Sequence, residues 1–261
     1  MKPGNFYAAD LGNSRIKISQ IYDGLVIRDT ISMPNNDFLQ YPELDTMYSK
    51  TIVFASVNSK VSDALRENNK DMKIFEIGKE IPIPILNKTD KPEQTGIDRL
   101  INCWYAYDFY GKPVIVIDAG TAITIDYCNE NGEFEGGVIM AGLDLQLKAL
   151  HTFTSALPEV EFIEKKKFNP VGKTTEEAML ASVKFGIPGQ IKACVDEMTK
   201  KTKIKPLIFL TGGSSNILQL QLTKIMKLKY KFFAFDIVST TSNFSIAAIH
   251  KIAYKYFAQN V

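Results

Sequence analysis

The chain carries one short pattern twice, and that repetition restricts its fold more than any other feature. Asp10-Leu11-Gly12-Asn13-Ser14-Arg15-Ile16 and Asp118-Ala119-Gly120-Thr121-Ala122-Ile123-Thr124 share an Asp-x-Gly-polar-small phase, each after a short apolar run. A second turn signal follows each copy at the same distance, Asp23-Gly24 in the first and Asn131-Gly132 in the second. Both copies therefore read as strand, tight turn, strand, hairpin and third strand. An Asp closing the first strand and a Gly in the turn suit a grip on nucleotide phosphates. The Gly lets backbone N–H groups approach phosphate oxygens, the Ser or Thr hydroxyl adds a donor, and the Asp can hold a metal ion or a water. A lone Asp-x-Gly is ordinary turn chemistry. Two in register favour phosphate binding.

The remaining composition narrows the classes of function. A chain of 261 residues, 45% hydrophobic and 23% charged, has the makeup of a soluble globular protein of one large or two ordinary domains. Its formal net charge of +2 is too small for a nucleic-acid footprint, and the run Lys165-Lys166-Lys167 reads as a solvated loop. The cysteines, Cys103, Cys128 and Cys194, are odd in number and lack a C-x-x-C pair, which suits a reducing, cytoplasmic setting and no zinc site. No signal peptide is evident and no apolar run is long enough to span a bilayer. The two histidines, His151 and His250, lie away from every motif, so a histidine-based mechanism is disfavoured.

Periodicity places the motifs on elements. Phe6–Ala9, Ile16–Tyr22, Leu25–Ser32, Thr51–Val57 and Lys73–Ile77 read as strands, with an amphipathic stretch around Val61–Asn68. Ile81–Gln94, with Pro82, Pro84 and Pro92, reads as a loop, and a helix opens at Thr95-Gly96-Ile97-Asp98-Arg99 and stops at Gly111-Lys112-Pro113. Val114–Ile117 reads as a buried strand, and Gly136–Gly142 as a glycine-marked hinge before a helix carrying Leu143, Leu147 and Leu150. Thr174-Thr175-Glu176-Glu177 opens a helix running through Phe185. Pro206–Leu210 reads as a strand entering Thr211-Gly212-Gly213, and Asn243–Phe257 as a final helix. Two β-meanders, each followed by alternating helices and strands, predict two similar α/β domains, 1–112 and 113–261.

Each motif has a plain and a functional reading. Gly172-Lys173-Thr174 lacks the glycine a Walker A loop needs, since Lys167 stands there, and no G-x-G-x-x-G occurs. Asp118 ends a buried run, so its carboxylate needs a cation or donors to satisfy it. Asp126 alternates with Thr124 and reads as a surface residue. Asp98 either caps the helix or orients and deprotonates a substrate hydroxyl, and Arg99 is either solvated or pairs with an anionic substrate group. A carboxylate near a helix N-terminus stays ionised and is a modest base, which phosphoryl transfer tolerates. Thr211-Gly212-Gly213 is either a strand-to-helix turn or a loop along which a flat ring slides.

Taken in order, Asp10–Lys17, Thr95–Arg99, Ile117–Asp126, Glu135–Gly142, Gly172–Ala178 and Leu210–Ser214 resemble the motif series of the type III pantothenate kinases. The resemblance implies the acetate/sugar kinase, Hsp70 and actin superfamily: an α/β fold of two ribonuclease-H-like (actin-like ATPase) domains with an ATP cleft between them. It implies phosphorylation of pantothenate to 4'-phosphopantothenate, opening coenzyme A synthesis, by a homodimer using Mg-ATP and potassium or ammonium, with no nucleic-acid or membrane partner. It puts Asp10, Leu11, Gly12, Asn13, Ser14, Arg15, Ile16 and Lys17 on the ATP phosphates, with Thr121, Gly212 and Gly213 also on ATP. Gly96, Ile97, Asp98 and Arg99 would line the pantothenate pocket with Asp98 as base, Asp118 would ligate the monovalent cation, and Thr175 would contact pantothenate across the dimer interface. The chain departs from the pattern at Thr89, where the family often has Tyr, at Ala141, where it has Pro, and at Thr241–Phe244, which lacks a Gly-Leu pair. Another small-molecule kinase of the superfamily, or a non-catalytic regulatory relative, is the competing reading.

Overall fold

Phe6–Leu11 (β1) is apolar but for Asp10, and its other residues are buried, as suits the centre of a sheet. It pairs antiparallel with Arg15–Tyr22 (β2), which pairs antiparallel with Val26–Pro34 (β3) through a bulge at Ser19/Gln20. A short helix, Asn35–Gln40 (α1), follows. Thr51–Ser56 (β4) returns parallel to β1, and after Ser59–Asn68 (α2) the strand Lys73–Glu76 (β5) pairs parallel to β4. Asn58 starts α2 by accepting the Val61 N–H on its side chain. The expected loop Ile81–Gln94 leads into Ile97–Tyr110 (α3), which Gly111 ends with φ +60°, the left-handed conformation glycine adopts without steric cost. The computed structural model describes residues 4–22, 26–163, 169–202, 204–226, 232–234 and 244–259. The Asp23-Gly24 turn, the Lys165–Lys167 run and residues 241–243 lie outside them.

The second copy repeats the plan. Val114–Ala119 (β6), Ala122–Cys128 (β7) and Phe134–Ala141 (β8) form the meander, with Asn131-Gly132 at its second turn and Gly132 at φ +77°. Leu143–Thr152 (α4), Thr175–Ala181 (α5) and Ile187–Lys200 (α6) follow, then Leu207–Thr211 (β9) parallel to β6. Ser215–Ile225 (α7) and Phe232–Ala234 (β10), parallel to β9, complete it. The sheet orders are β3-β2-β1-β4-β5 and β8-β7-β6-β9-β10, so the strand plan is the same twice. Asp10 and Asp118 occupy equivalent places, Asp10 opposite Lys17 and Asp118 opposite Thr124.

Two regions differ from expectation. Gly136–Gly142 is not a hinge: all but its last residue belong to strand β8, and Gly142 starts α4. The helix expected to end near Phe185 passes through a π-helical turn, Ser182–Gly186, into α6, because Pro188 falls where a first-turn proline forfeits no hydrogen bond.

The last helix, Phe244–Gln259 (α8), packs Ile246, Ala248, Ile249, Ile252 and Ala253 against Phe6, Ala8, Val53, Ile101 and Trp104. The chain thus divides into a first unit, 1–111 with 132–134 and 236–261, and a second, 112–131 with 135–235. The expected division at 112/113 takes both halves as continuous, whereas the final helix belongs with the first. The second unit's core packs α4 to α7 against one face of β6, β7 and β9, with Ile115, Ile117, Leu147, Val183, Ile191 and Leu222 among its buried members. Burial of each such side chain stabilises by about 1.5–3 kcal/mol.

Candidate active site

The first turn is anchored by apolar side chains and offers polar ones. Leu11 and Ile16 face each other in register and are wholly buried, so only their backbone can meet a ligand. Between them Gly12 donates its N–H to Arg15 O at 3.1 Å, and Asn13, Ser14 and Arg15 form the exposed tip. The Arg15 guanidinium is turned along β3, with Nε on Ser32 Oγ at 3.1 Å and Nη2 on Ser32 O at 3.0 Å. Asp10, half-buried, accepts a 2.5 Å hydrogen bond from the Ser245 hydroxyl at the start of α8. No sequence signal nearby identifies Ser245, because 235 residues separate the two.

The second turn draws three motifs together. Asp118 pairs in register with Thr211, so the end of β6 lies beside the Thr211-Gly212-Gly213 loop. Gly212 has φ +92°, and a β-carbon there would stand 2.5 Å from Asp118 Oδ1 and from Ala119 N. Only glycine lets this loop lie on the carboxylate. Ser214 N–H donates to Ala119 O at 2.9 Å, and Gly213 has open space where a side chain would be. Gly142 donates its N–H to Thr121 O at 2.9 Å and packs against the Gly120 carbonyl, which ties β8 to the same turn and leaves Thr121 exposed at its tip. Asp126 is only 1% exposed and lies against Gly137, so it is an interior residue and not the surface one expected.

The third element is the start of α3. Gly96 occupies the N-cap position without a side-chain cap, and Asp98 is the second helical residue. The Asp98 Oδ1 accepts the Arg99 N–H at 2.9 Å, which holds the carboxylate in the first turn of the helix. The Arg99 guanidinium lies over the buried Phe134 ring, 5.4 Å from its centroid, a cation–π contact. Phe134 in turn exchanges backbone hydrogen bonds with the proline-rich loop, donating to Leu86 O at 2.9 Å and accepting from Lys88 N at 2.8 Å. Thr89, where the family often has Tyr, bonds through its hydroxyl to Asn87 Oδ1 at 2.9 Å and Thr95 Oγ1 at 3.1 Å, next to Gly96.

The fourth is α5. Thr174 caps it, accepting the Glu177 N–H at 3.1 Å, while the Glu177 carboxylate accepts the Lys173 N–H at 2.7 Å. Thr175 stands exposed on its first turn. Asp10, Asp98 and Arg99 thus belong to the first unit, and Asp118, Thr121, Thr175, Gly212 and Gly213 to the second.

A sequence model of the type III pantothenate kinases matches residues 6–197. The chain belongs to that family. Type III pantothenate kinases of Persephonella marina and Listeria monocytogenes are similar to it at 34% identity over 226 residues and 30% over 193. The matches cover 80% and 73% of this chain, and 87% and 74% of those relatives. Among solved structures, the 2-hydroxyisocaproyl-CoA dehydratase activator of Clostridium difficile with bound ADPNP has TM-score 0.54 at 12% identity, covering 98% of each chain. MreB 5 of Spiroplasma citri bound to AMPPNP has TM-score 0.52 at 11% identity, covering 100% of this chain and 98% of that one. These likenesses show the fold alone: the chain shares the α/β architecture of those two proteins, in agreement with the doubled strand order. As a type III pantothenate kinase the chain is an ATP-using enzyme that phosphorylates the small molecule pantothenate in coenzyme A biosynthesis. Among the described residues no helix is long and apolar enough to cross a membrane.

Proposed function

We propose that Asp98 is the base of this kinase and Arg99 the residue that holds the pantothenate carboxylate. The primary hydroxyl oxygen attacks the γ-phosphorus of ATP, the bond to the bridging oxygen breaks, ADP departs and the hydroxyl proton passes to Asp98. The transition state is loose, so positioning counts for more than base strength. The arrangement at α3 carries the reading: a carboxylate held by a backbone N–H beside a guanidinium stacked on Phe134. Asp10–Lys17 contacts the ATP phosphates through exposed turn N–H groups and the Ser14 hydroxyl, and Thr121, Gly212 and Gly213 are the further ATP contacts that the family resemblance implies. The test is Asp98→Asn. Asn keeps the shape of the side chain, so the melting temperature should hold while turnover falls by about 10²–10⁴-fold. Arg99→Ala should raise the KM for pantothenate instead. Turnover retained in a folded Asp98→Asn enzyme sinks the assignment.

Asp118 suits a monovalent cation, because the ligands its surroundings offer, a carboxylate and backbone carbonyls, are hard oxygens. Such a cation, potassium or ammonium, would supply fixed positive charge beside the phosphates, and Mg²⁺ would arrive with ATP near Asp10. A homodimer is the expected assembly, with Thr175 contacting pantothenate bound by the partner. Support comes from Thr175, which stands exposed on the first turn of α5, and from two-fold pairing being the commonest assembly of such proteins. Light scattering that finds a fully active monomer would remove this part of the proposal.

A further inference from the structure

Asn35, the first residue of α1, is 8% exposed and lies in none of the motifs above, yet its side-chain and backbone N–H donors go to the first turn. Its side-chain Nδ2 donates to Gly12 O at 3.0 Å and to Asn13 O at 2.8 Å, and its backbone N–H donates to Ser14 O at 3.1 Å. One residue therefore holds three successive carbonyls of the turn. The amide orientation is fixed by chemistry, since the opposite one would set Oδ1 against two carbonyl oxygens. The Oδ1 atom is buried and without a hydrogen-bond partner among the described residues. A residue chosen for stability alone would not bury an unpaired acceptor.

In a trans peptide the N–H points away from the C=O that precedes it. Drawing the Gly12, Asn13 and Ser14 carbonyls to Asn35 therefore turns the N–H groups of Asn13, Ser14 and Arg15 to the opposite side. Those three residues are the exposed tip. Successive N–H groups facing one way make a concavity for an anion. We infer that Asn35 is the positioning residue of the phosphate turn: it contacts no substrate and aligns the backbone donors that do. This rests on reading Asp10–Lys17 as the grip on the ATP phosphates, and it adds a residue outside every motif of the family.

The experiment compares wild type with Asn35→Leu, which keeps the branched four-atom side-chain skeleton, removes both side-chain donors and adds no charge. Mg-ATP affinity by calorimetry and the separate KM values for ATP and pantothenate are the readouts. Losing alignment of one or two charge-assisted hydrogen bonds should weaken ATP by about ten- to a hundredfold. The KM for pantothenate should stay within about twofold, which a general loosening of the unit would not allow. Asn35→Ser, with one shorter donor, should fall between the two and serves if the Leu variant does not fold. Equal loss for both substrates, unchanged ATP affinity, or two unfolded variants each overturn the inference and leave Asn35 a structural residue. A wild-type enzyme that does not bind Mg-ATP would instead overturn the reading of the turn itself.

Discussion

Gly96 tests the geometry at Asp98 without touching the carboxylate. A β-carbon added at Gly96 would stand 2.6 Å from Asp98 Oδ1, against the 3.4 Å at which ordinary contact begins, so the oxygen must retreat by about 0.8 Å. Its 2.9 Å bond to the Arg99 N–H is strained or lost in the process. The backbone does not object, because Gly96 has φ −57°. Alanine is the poorer N-cap by up to about 1 kcal/mol, and the reduced freedom of the unfolded chain returns about 0.4–1 kcal/mol. Gly96→Ala should therefore change stability by less than about 1 kcal/mol and the melting temperature by no more than about 4 °C. Turnover is another matter. Displacing a reacting group by about 1 Å costs up to about 10²-fold, so kcat should fall about ten- to a hundredfold. Steady-state ADP release at saturating ATP and pantothenate, run beside a thermal melt, measures both. A variant melting like wild type with kcat within about threefold would refute the reasoning, because the base would then tolerate the displacement.

Gly212→Ala should be far more damaging. The positive φ costs about 1–2 kcal/mol, and the overlap with Ala119 and Asp118 about 1–3 kcal/mol more, so a large drop in melting temperature and a disturbed cation requirement are expected together. Replacing potassium by sodium should remove most activity of the wild-type enzyme, and equal rates in the two salts would end the assignment of Asp118. Asp108 on α3 bonds Lys251 and Lys255 on α8, at 2.6 Å each. Burial alone would raise its carboxyl, but those hydrogen bonds and charges outweigh burial and hold it below the ordinary value. A depressed carboxyl stabilises fully above its unfolded value, about pH 4, and the contribution is lost as pH falls through the folded value. Asp108→Asn should thus cost about 0.5–1 kcal/mol at pH 7, and denaturant melts should show the gap to wild type closing as the pH drops below about 4.

The doubled strand order was legible because its signal is local: an Asp-x-Gly turn after an apolar run names both strands beside it. The helix start at Gly96 and the cap at Thr174 were legible for the same reason. Helix α6 lies in a segment that the reading of the sequence passes over after Phe185; it contains Gly186, Pro188 and Gly189, yet Pro188 lies in the first turn, where a proline breaks nothing. Strand β8 looked like a hinge because its glycines serve close packing: Gly137 lies against Asp126, whose burial a single alternating pair could not reveal. The partners of the motifs were the least legible. Ser245 on Asp10 and Asn35 on the first turn are contacts between segments far apart in the chain, and nothing in either residue's neighbourhood distinguishes it from a surface Ser or Asn.

The return of α8 to the first unit also sets an order on how the protein is made. The ribosome releases Phe6, Ala8, Val53, Ile101 and Trp104 early, but the helix that covers them comes from residues 244–259. The second unit, nearly all of it between 112 and 235, leaves the ribosome before that helix does. Its core can close while the first unit still exposes an apolar face. The first unit, which carries Asp10, Asp98 and Arg99, is completed last. Because the Ser245 hydroxyl arrives on that same helix, the Asp10 carboxylate gains this hydrogen bond only after the second unit has been made. A nascent chain stalled before α8 would hold both Asp-x-Gly turns and lack the Ser245 hydrogen bond to Asp10 and the cover over the first unit's core.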